Sequence, residues 1–125
     1  MQIGVQGALG LRAQKLSTDF VVADASYPSL KSVPGALVLT FQDYLGKDVT
    51  VDFENVCAFQ WSEADAPLIS GEPYDSVCEV FGSEWLGAHK PSNVMHSSGS
   101  VRQINLRFNA WGLLSVLCSG FQRRG

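Results

Sequence analysis

Apolar and polar residues alternate one for one through two neighbouring stretches of the chain. In GALVLTFQDY, Leu37, Leu39 and Phe41 fall on one side, and Val38, Thr40 and Gln42 on the other. In DVTVDFEN, Val49, Val51 and Phe53 oppose Thr50, Asp52 and Glu54. A period of two is the side-chain period of a β-strand. Between the runs lies Leu45-Gly46-Lys47. Glycine adopts the positive φ that tight turns need, so the pair reads as a hairpin with one wet face.

The pattern continues beyond the hairpin. VCAFQW sets Cys57, Phe59 and Trp61 on one parity, and the polar Asn55 before it predicts a bulge or tight turn at Glu54-Asn55. SEADAPLISGEPYD carries two prolines, a glycine and four acids, and reads as a surface loop. SVCEVF is a short strand. SEWLGAH starts a short helix, with Ser83 as its cap and Glu84 in the first turn. KPSNVMHSSGS is a polar loop. RQINLRF and LLSVLCSGF alternate again and are joined through Asn109-Ala110-Trp111-Gly112, which predicts a second hairpin. In the first third, DFVVADA reads as a strand and LRAQKLS as a short helical turn. The expected fold is mainly β (α+β at most): a single curled antiparallel sheet or a small sandwich of six or seven strands, with one or two short helices.

With 125 residues, 46% of them hydrophobic, the chain fits one domain spanning 1–125. A chain of this size buries roughly two thirds of its unfolded surface and needs no staples to fold. Cys57, Cys78 and Cys118 are odd in number and widely spaced, unlike a secreted disulfide framework. All three read as core thiols in a reducing compartment. The opening MQIGVQGALGLRAQKL lacks the basic start of a signal peptide, and no run approaches the ~18 apolar residues of a membrane span. A cytoplasmic protein with no membrane partner is expected.

Candidate chemistry is sparse. His89 and His96 lack further ligands at a metal-site spacing, so no metal is expected. The serines of HSSGS (96–100) have no nucleophile elbow around them. The glycines form no phosphate-binding motif, so no cofactor is expected. Asp52 with Glu54, and Glu63 with Asp65, are carboxylate pairs, but nothing in the sequence holds either across a substrate. No catalytic residue is assigned, and the expectation is a protein that is not an enzyme.

Charge changes the picture. From Asp48 to Trp85 the chain has nine of its twelve acids and neither Lys nor Arg. The net charge of −3 makes nucleic acid a poor partner. An acidic surface would instead steer a cationic protein into encounter, and aromatics beside it would supply anchors. The expected partner-binding set is Asp52, Glu54, Trp61, Glu63, Asp65, Glu72, Asp75, Glu84 and Trp85. A different reading places a small ligand in an aromatic pocket lined by Trp61, Trp85 and Trp111. The sequence leaves the oligomeric state open, since an exposed edge strand can pair.

Three stretches carry a resemblance: VDFENVCAFQW, YDSVCEVFGSEWL and INLRFNAWGLLSVLCSGF. Their order resembles that of small bacterial immunity proteins of polymorphic toxin systems and related uncharacterised families. The shared spacings are F-x-x-V-x-x-F-x-W over Phe53 to Trp61, Y-x-x-x-x-E-V-x-x-S-x-W over Tyr74 to Trp85, and F-x-x-x-G-x-L-x-V over Phe108 to Val116. The resemblance covers Leu37 to Phe121 and rests mainly on core-type residues. It departs at Ser115, where many such sequences carry an acid. It implies stoichiometric inhibition of a cognate toxin domain, without catalysis. Combined with the charge, it implies a basic toxin.

Overall fold

The computed structural model describes residues 10–63, 66–89, 101–108 and 111–124. Asp65, His96 and the serines at 97–100 lie outside them. Nine strands and one short helix are described: β1 (Arg12–Lys15), β2 (Ser26–Val33), β3 (Ala36–Gln42), β4 (Asp48–Glu54), β5 (Ala58–Ser62), β6 (Val77–Phe81), α1 (Glu84–His89), β7 (Arg102–Phe108), β8 (Gly112–Cys118) and β9 (Gly120–Arg123). The strands form two antiparallel sheets, ordered β1-β6-β7-β8-β5 and β2-β3-β4-β9.

Both expected hairpins form. β3 and β4 pair in unbroken register from Ala36↔Glu54 to Gln42↔Asp48, and Gly46 at φ 80° closes the turn. β7 and β8 pair from Arg102↔Cys118 to Phe108↔Gly112. Asn55, at φ 52°, turns the chain from β4 toward β5. Asn tolerates this left-handed conformation better than most residues, which is why the alternation stops there.

The sheets face each other as a sandwich. Leu37, Leu39, Phe41, Val49, Val51 and Phe53 from one sheet meet Val77, Ile104, Leu106, Phe108, Leu114, Val116 and Cys118 from the other. These are the alternating apolar positions read from the sequence. Each large aliphatic buried contributes on the order of 1.5–3 kcal/mol, so this shared core holds the fold.

The first third departs from expectation. LRAQKLS gives the edge strand β1, pairing Arg12↔Phe81 to Lys15↔Cys78, where a helical turn was expected. Its backbone gains more from an open sheet edge than four residues gain from an isolated turn. DFVVADA is irregular, although Phe20, Val22 and Ala25 still enter the core. The strand begins only after it, as β2. Nine strands are found among the described residues where six or seven were expected, because β1, β2 and β9 are edge strands with little apolar pattern.

The sheets differ on their outer faces. On the four-stranded sheet, Asp48, Thr50, Asp52 and Glu54 of β4 point away from the core and are exposed or half-buried. On the five-stranded sheet, Gln103, Asn105, Arg107, Leu113, Ser115 and Leu117 point away from the core yet are buried. The segment 66–76 lies over part of this face, so β7 and β8 are covered on both sides.

Candidate functional site

The aromatic residues form a connected chain. Phe20 meets Phe41 with ring centroids 6.1 Å apart, Phe41 meets Phe108 at 5.3 Å, and Trp61 stacks on Phe108 at 6.0 Å and 22°. The chain begins in the core and ends at Trp61, which is 41% exposed. Gly112 makes room for that indole. A Cβ added at Gly112 would sit 2.6 Å from Trp61 Nε1, and its φ of 135° belongs to glycine.

Beside Gly112, Trp111 sits in the β7–β8 turn, 44% exposed. Tyr27 of β2 faces it, with ring centroids 5.3 Å apart, and is 65% exposed. Tyr27 takes a φ of 55°, at the register shift between Ser26 and Ser29. A bulky residue in the left-handed region is uncommon and strained, on the order of 1–3 kcal/mol. Bulges of this kind re-aim a side chain. Here the bulge turns a tyrosine outward onto a tryptophan, and neither ring is fully buried. Tyr27 and Asp48 border one open groove with Thr40, Gln42 and Thr50. Glu63, also exposed, follows Trp61 by two residues.

The acidic run does not fold into one surface. Asp52 and Glu54 lie on the outer face of the four-stranded sheet, where Arg124 grips Asp52 with two bonds of 2.7 and 3.1 Å. That contact raises the Arg124 pKa from its ordinary value, chiefly through the hydrogen bond. Asp75 is half-buried in the 66–76 segment at φ 54°. Glu84 is exposed at the start of α1, which Ser83 caps by accepting the Leu86 N–H at 2.9 Å. Trp85 is half-buried and meets His89 edge-on at 5.9 Å. Glu79 binds Arg102 at 2.9 and 3.2 Å, and this hydrogen bonding raises the Arg102 pKa.

Glu72 leaves the expected surface set altogether. Its side chain is 0% exposed and accepts from Arg107 Nε at 3.0 Å and Nη2 at 3.2 Å. Arg107 Nη1 also donates to the Ala66 carbonyl at 2.7 Å, and the Ile69 N–H donates to Glu72 at 2.9 Å. A carboxylate this enclosed cannot touch a partner while the fold stays closed. The pair instead ties the 66–76 segment to β7. Next to it, Ser83 donates to Gln103 at 2.5 Å and Gln103 to Asn105 at 3.2 Å, a buried polar row on the same face of the sheet.

The cysteines also separate. Cys78 and Cys118 are buried as expected, whereas Cys57 is exposed, because it sits in the connection leading into the edge strand β5. Burial raises the Cys118 thiol to about 11 against weaker opposing contacts from Gly120 and Arg102. Burial also raises Cys78, partly offset by its hydrogen bond with Ser76. Both thiols are therefore poor nucleophiles at neutral pH.

Among the described residues no group of three or more His, Cys, Asp or Glu is placed to hold a metal ion, and no helix is long and apolar enough to cross a membrane. Of the expected set, Trp61 lies next to the exposed aromatic pair, against Gly112, with the exposed Glu63 two residues on. Asp52 and Glu54 lie on β4, Glu72 and Asp75 in the 66–76 segment, and Glu84 and Trp85 on α1, while Asp65 is outside the described residues. The pair itself was not anticipated. Its one sequence signal was Tyr27, a large aromatic before Pro28 in a segment with no alternating apolar positions to bury it. Compared with protein-family models, curated proteins and solved structures, the chain matches none of them.

Proposed function

We propose that this chain is a binding protein of the immunity type: it occupies a cognate toxin domain and blocks it without doing chemistry of its own. The observation that carries this reading is the exposed Tyr27–Trp111 pair, with Tyr27 held outward at a strained φ of 55°. Rigid aromatics give a large contact area at low entropic cost, and Tyr and Trp dominate binding hot spots. The strain is consistent with a use for that orientation, since strained backbone clusters at functional positions. Asp48, on the groove that Tyr27 borders, puts negative charge at the margin, which suits a basic toxin approaching by electrostatic steering. A bacterial cytoplasmic setting completes the reading, with neither nucleic acid nor membrane as partner.

The test uses the protein as bait in lysate of the source organism, beside a Tyr27→Ala/Trp111→Ala variant. The expected result is one basic protein retained by the wild type and lost with the variant. Its retention should weaken between ~50 and ~500 mM salt, as the Debye length falls from above 10 Å to under 5 Å. Expressed alone, that protein should arrest growth, and co-expression of this chain should restore it. A captured protein indifferent to the double variant, or harmless when expressed, would overturn the proposal.

A further inference from the structure

The two sheets have four edge strands, and three of them are protected. β1 carries Arg12 and Lys15, and its Ala13 N–H is already taken by the Ser70 carbonyl at 2.8 Å. β2 carries Pro28, Lys31 and the bulge at Tyr27. β9 has four residues and ends in Arg123. Charges, proline, bulges and shortness are the usual means by which an edge avoids pairing with another chain. β5, with the sequence AFQWS, has neither a charge nor a proline. Among the described residues it pairs only with β8, and Phe59, Gln60 and Trp61 along it are all exposed.

We infer that β5 pairs with β5 of a second copy of this chain, antiparallel, about a two-fold axis through Gln60. The sequence is suited to this partner. In an isologous antiparallel pair, a residue on the axis faces itself and its neighbours exchange. With Gln60 on the axis, Phe59 faces the second copy's Trp61, and Ala58 faces its Ser62. The interface then holds two aromatic cross-strand pairs, a favourable class of contact. Phe59 and Trp61 lie on the core-facing parity, opposite Val116 and Leu114 of β8, so the aromatic pairs continue the core side of the sheet. Phe59 also walls a groove of about 530 Å³ with Val33, Pro34, Val56 and Cys57, which leaves room along the strand for incoming side chains.

The charges are self-compatible too. The acids flanking β5 are Glu54 and Glu63. In this register Glu63 adjoins Cys57 of the second copy, and Glu54 lies on β4 in the other sheet, so no like charges oppose each other along the strand pair. The two five-stranded sheets become one continuous ten-stranded sheet. Tyr27 and Trp111 belong to other elements, so the inference does not depend on what they bind.

Sedimentation equilibrium at ~100 μM, with a cross-linking series in a Cys57→Ser background, tests it. The wild type is expected to be a dimer. Gln60→Lys sets two ammonium groups face to face at an exposed position and should weaken the dimer about threefold to fivefold, with an unchanged circular dichroism spectrum. Mild oxidation should cross-link Gln60→Cys efficiently and Ser62→Cys poorly, because two Ser62 residues stand four positions apart in this register. A monomeric wild type, a dimer indifferent to Gln60→Lys, or equal cross-linking at both positions would overturn the inference.

Discussion

Each sheet carries an arginine–carboxylate pair on its outer face, and the two pairs differ in almost everything but chemistry. Arg124 and Asp52 on the four-stranded sheet are 60% and 31% exposed, and the pair closes 2.7 Å apart. Arg107 and Glu72 on the five-stranded sheet are 1% and 0% exposed. Water screens the first pair, so its removal costs little. The second is enclosed. Its charges have lost their hydration: the guanidinium depends on Glu72 and on the Ala66 and Pro67 carbonyls, and the carboxylate on Arg107 and the Ile69 N–H. One pair decorates a wet face, while the other fastens a covering segment over β7 and β8, which are dry on both sides.

This difference can be broken first at Glu72. Glu72→Ala removes the carboxylate that both Nε and Nη2 of the buried Arg107 bind, and is expected to destabilise the fold by about 3–5 kcal/mol, read as a lowered denaturant midpoint. Replacing both partners with apolar residues, Glu72→Met with Arg107→Leu, should recover most of that loss, because no orphaned charge remains. A double variant as unstable as Glu72→Ala would mean that the covering segment needs the hydrogen bonds themselves.

Alkaline pH sharpens the comparison. Cys118 lies in the five-stranded sheet with its thiol pushed up to about 11 from an ordinary 9.0. The folded state therefore keeps a proton that the unfolded state loses first. Stability from this group is intact below pH 9 and falls as pH rises through 9 to 11. Two pH units correspond to about 2–3 kcal/mol. Cys118→Val should flatten that part of the stability profile, measured by urea unfolding at pH 8, 9.5 and 11. The smallest effect is expected at the exposed pair: Asp52→Ala should cost less than about 1 kcal/mol, and still less at high salt.

The sequence revealed what repeats at short range. Leu37, Leu39 and Phe41 against Val49, Val51 and Phe53 specify a hairpin, because one slip in register would turn each set to the wrong face. Ser83 before Glu84 marked the helix start. Long-range pairings were not legible. Arg107 sits at an alternating polar position that looks wet, and its partner Glu72 is 35 residues away in a loop-like segment. A hint existed in LLSVLC, where Leu113 and Leu117 put apolar residues on the supposedly wet parity of β8. Strands that are apolar on both parities are buried on both faces. The acidic run misled for a related reason. Neighbours in sequence share a surface only when they share an element and a parity, and the described acids of this run span strands, loops and a helix. β1 and β2 escaped because edge strands need little apolar pattern, and Tyr27 because its bulge is a departure from pattern.

The proposed binding function rests on two exposed rings, so the most direct test is the affinity of Trp111→Ala for the protein retained in the pull-down, measured by calorimetry beside the wild type. A hot-spot ring contributes 2 kcal/mol or more, which corresponds to a loss of about 30-fold or greater. The account predicts that loss in a variant whose thermal midpoint stays near that of the wild type. An affinity within about twofold of the wild type would contradict the account and move the partner surface away from Tyr27 and Trp111.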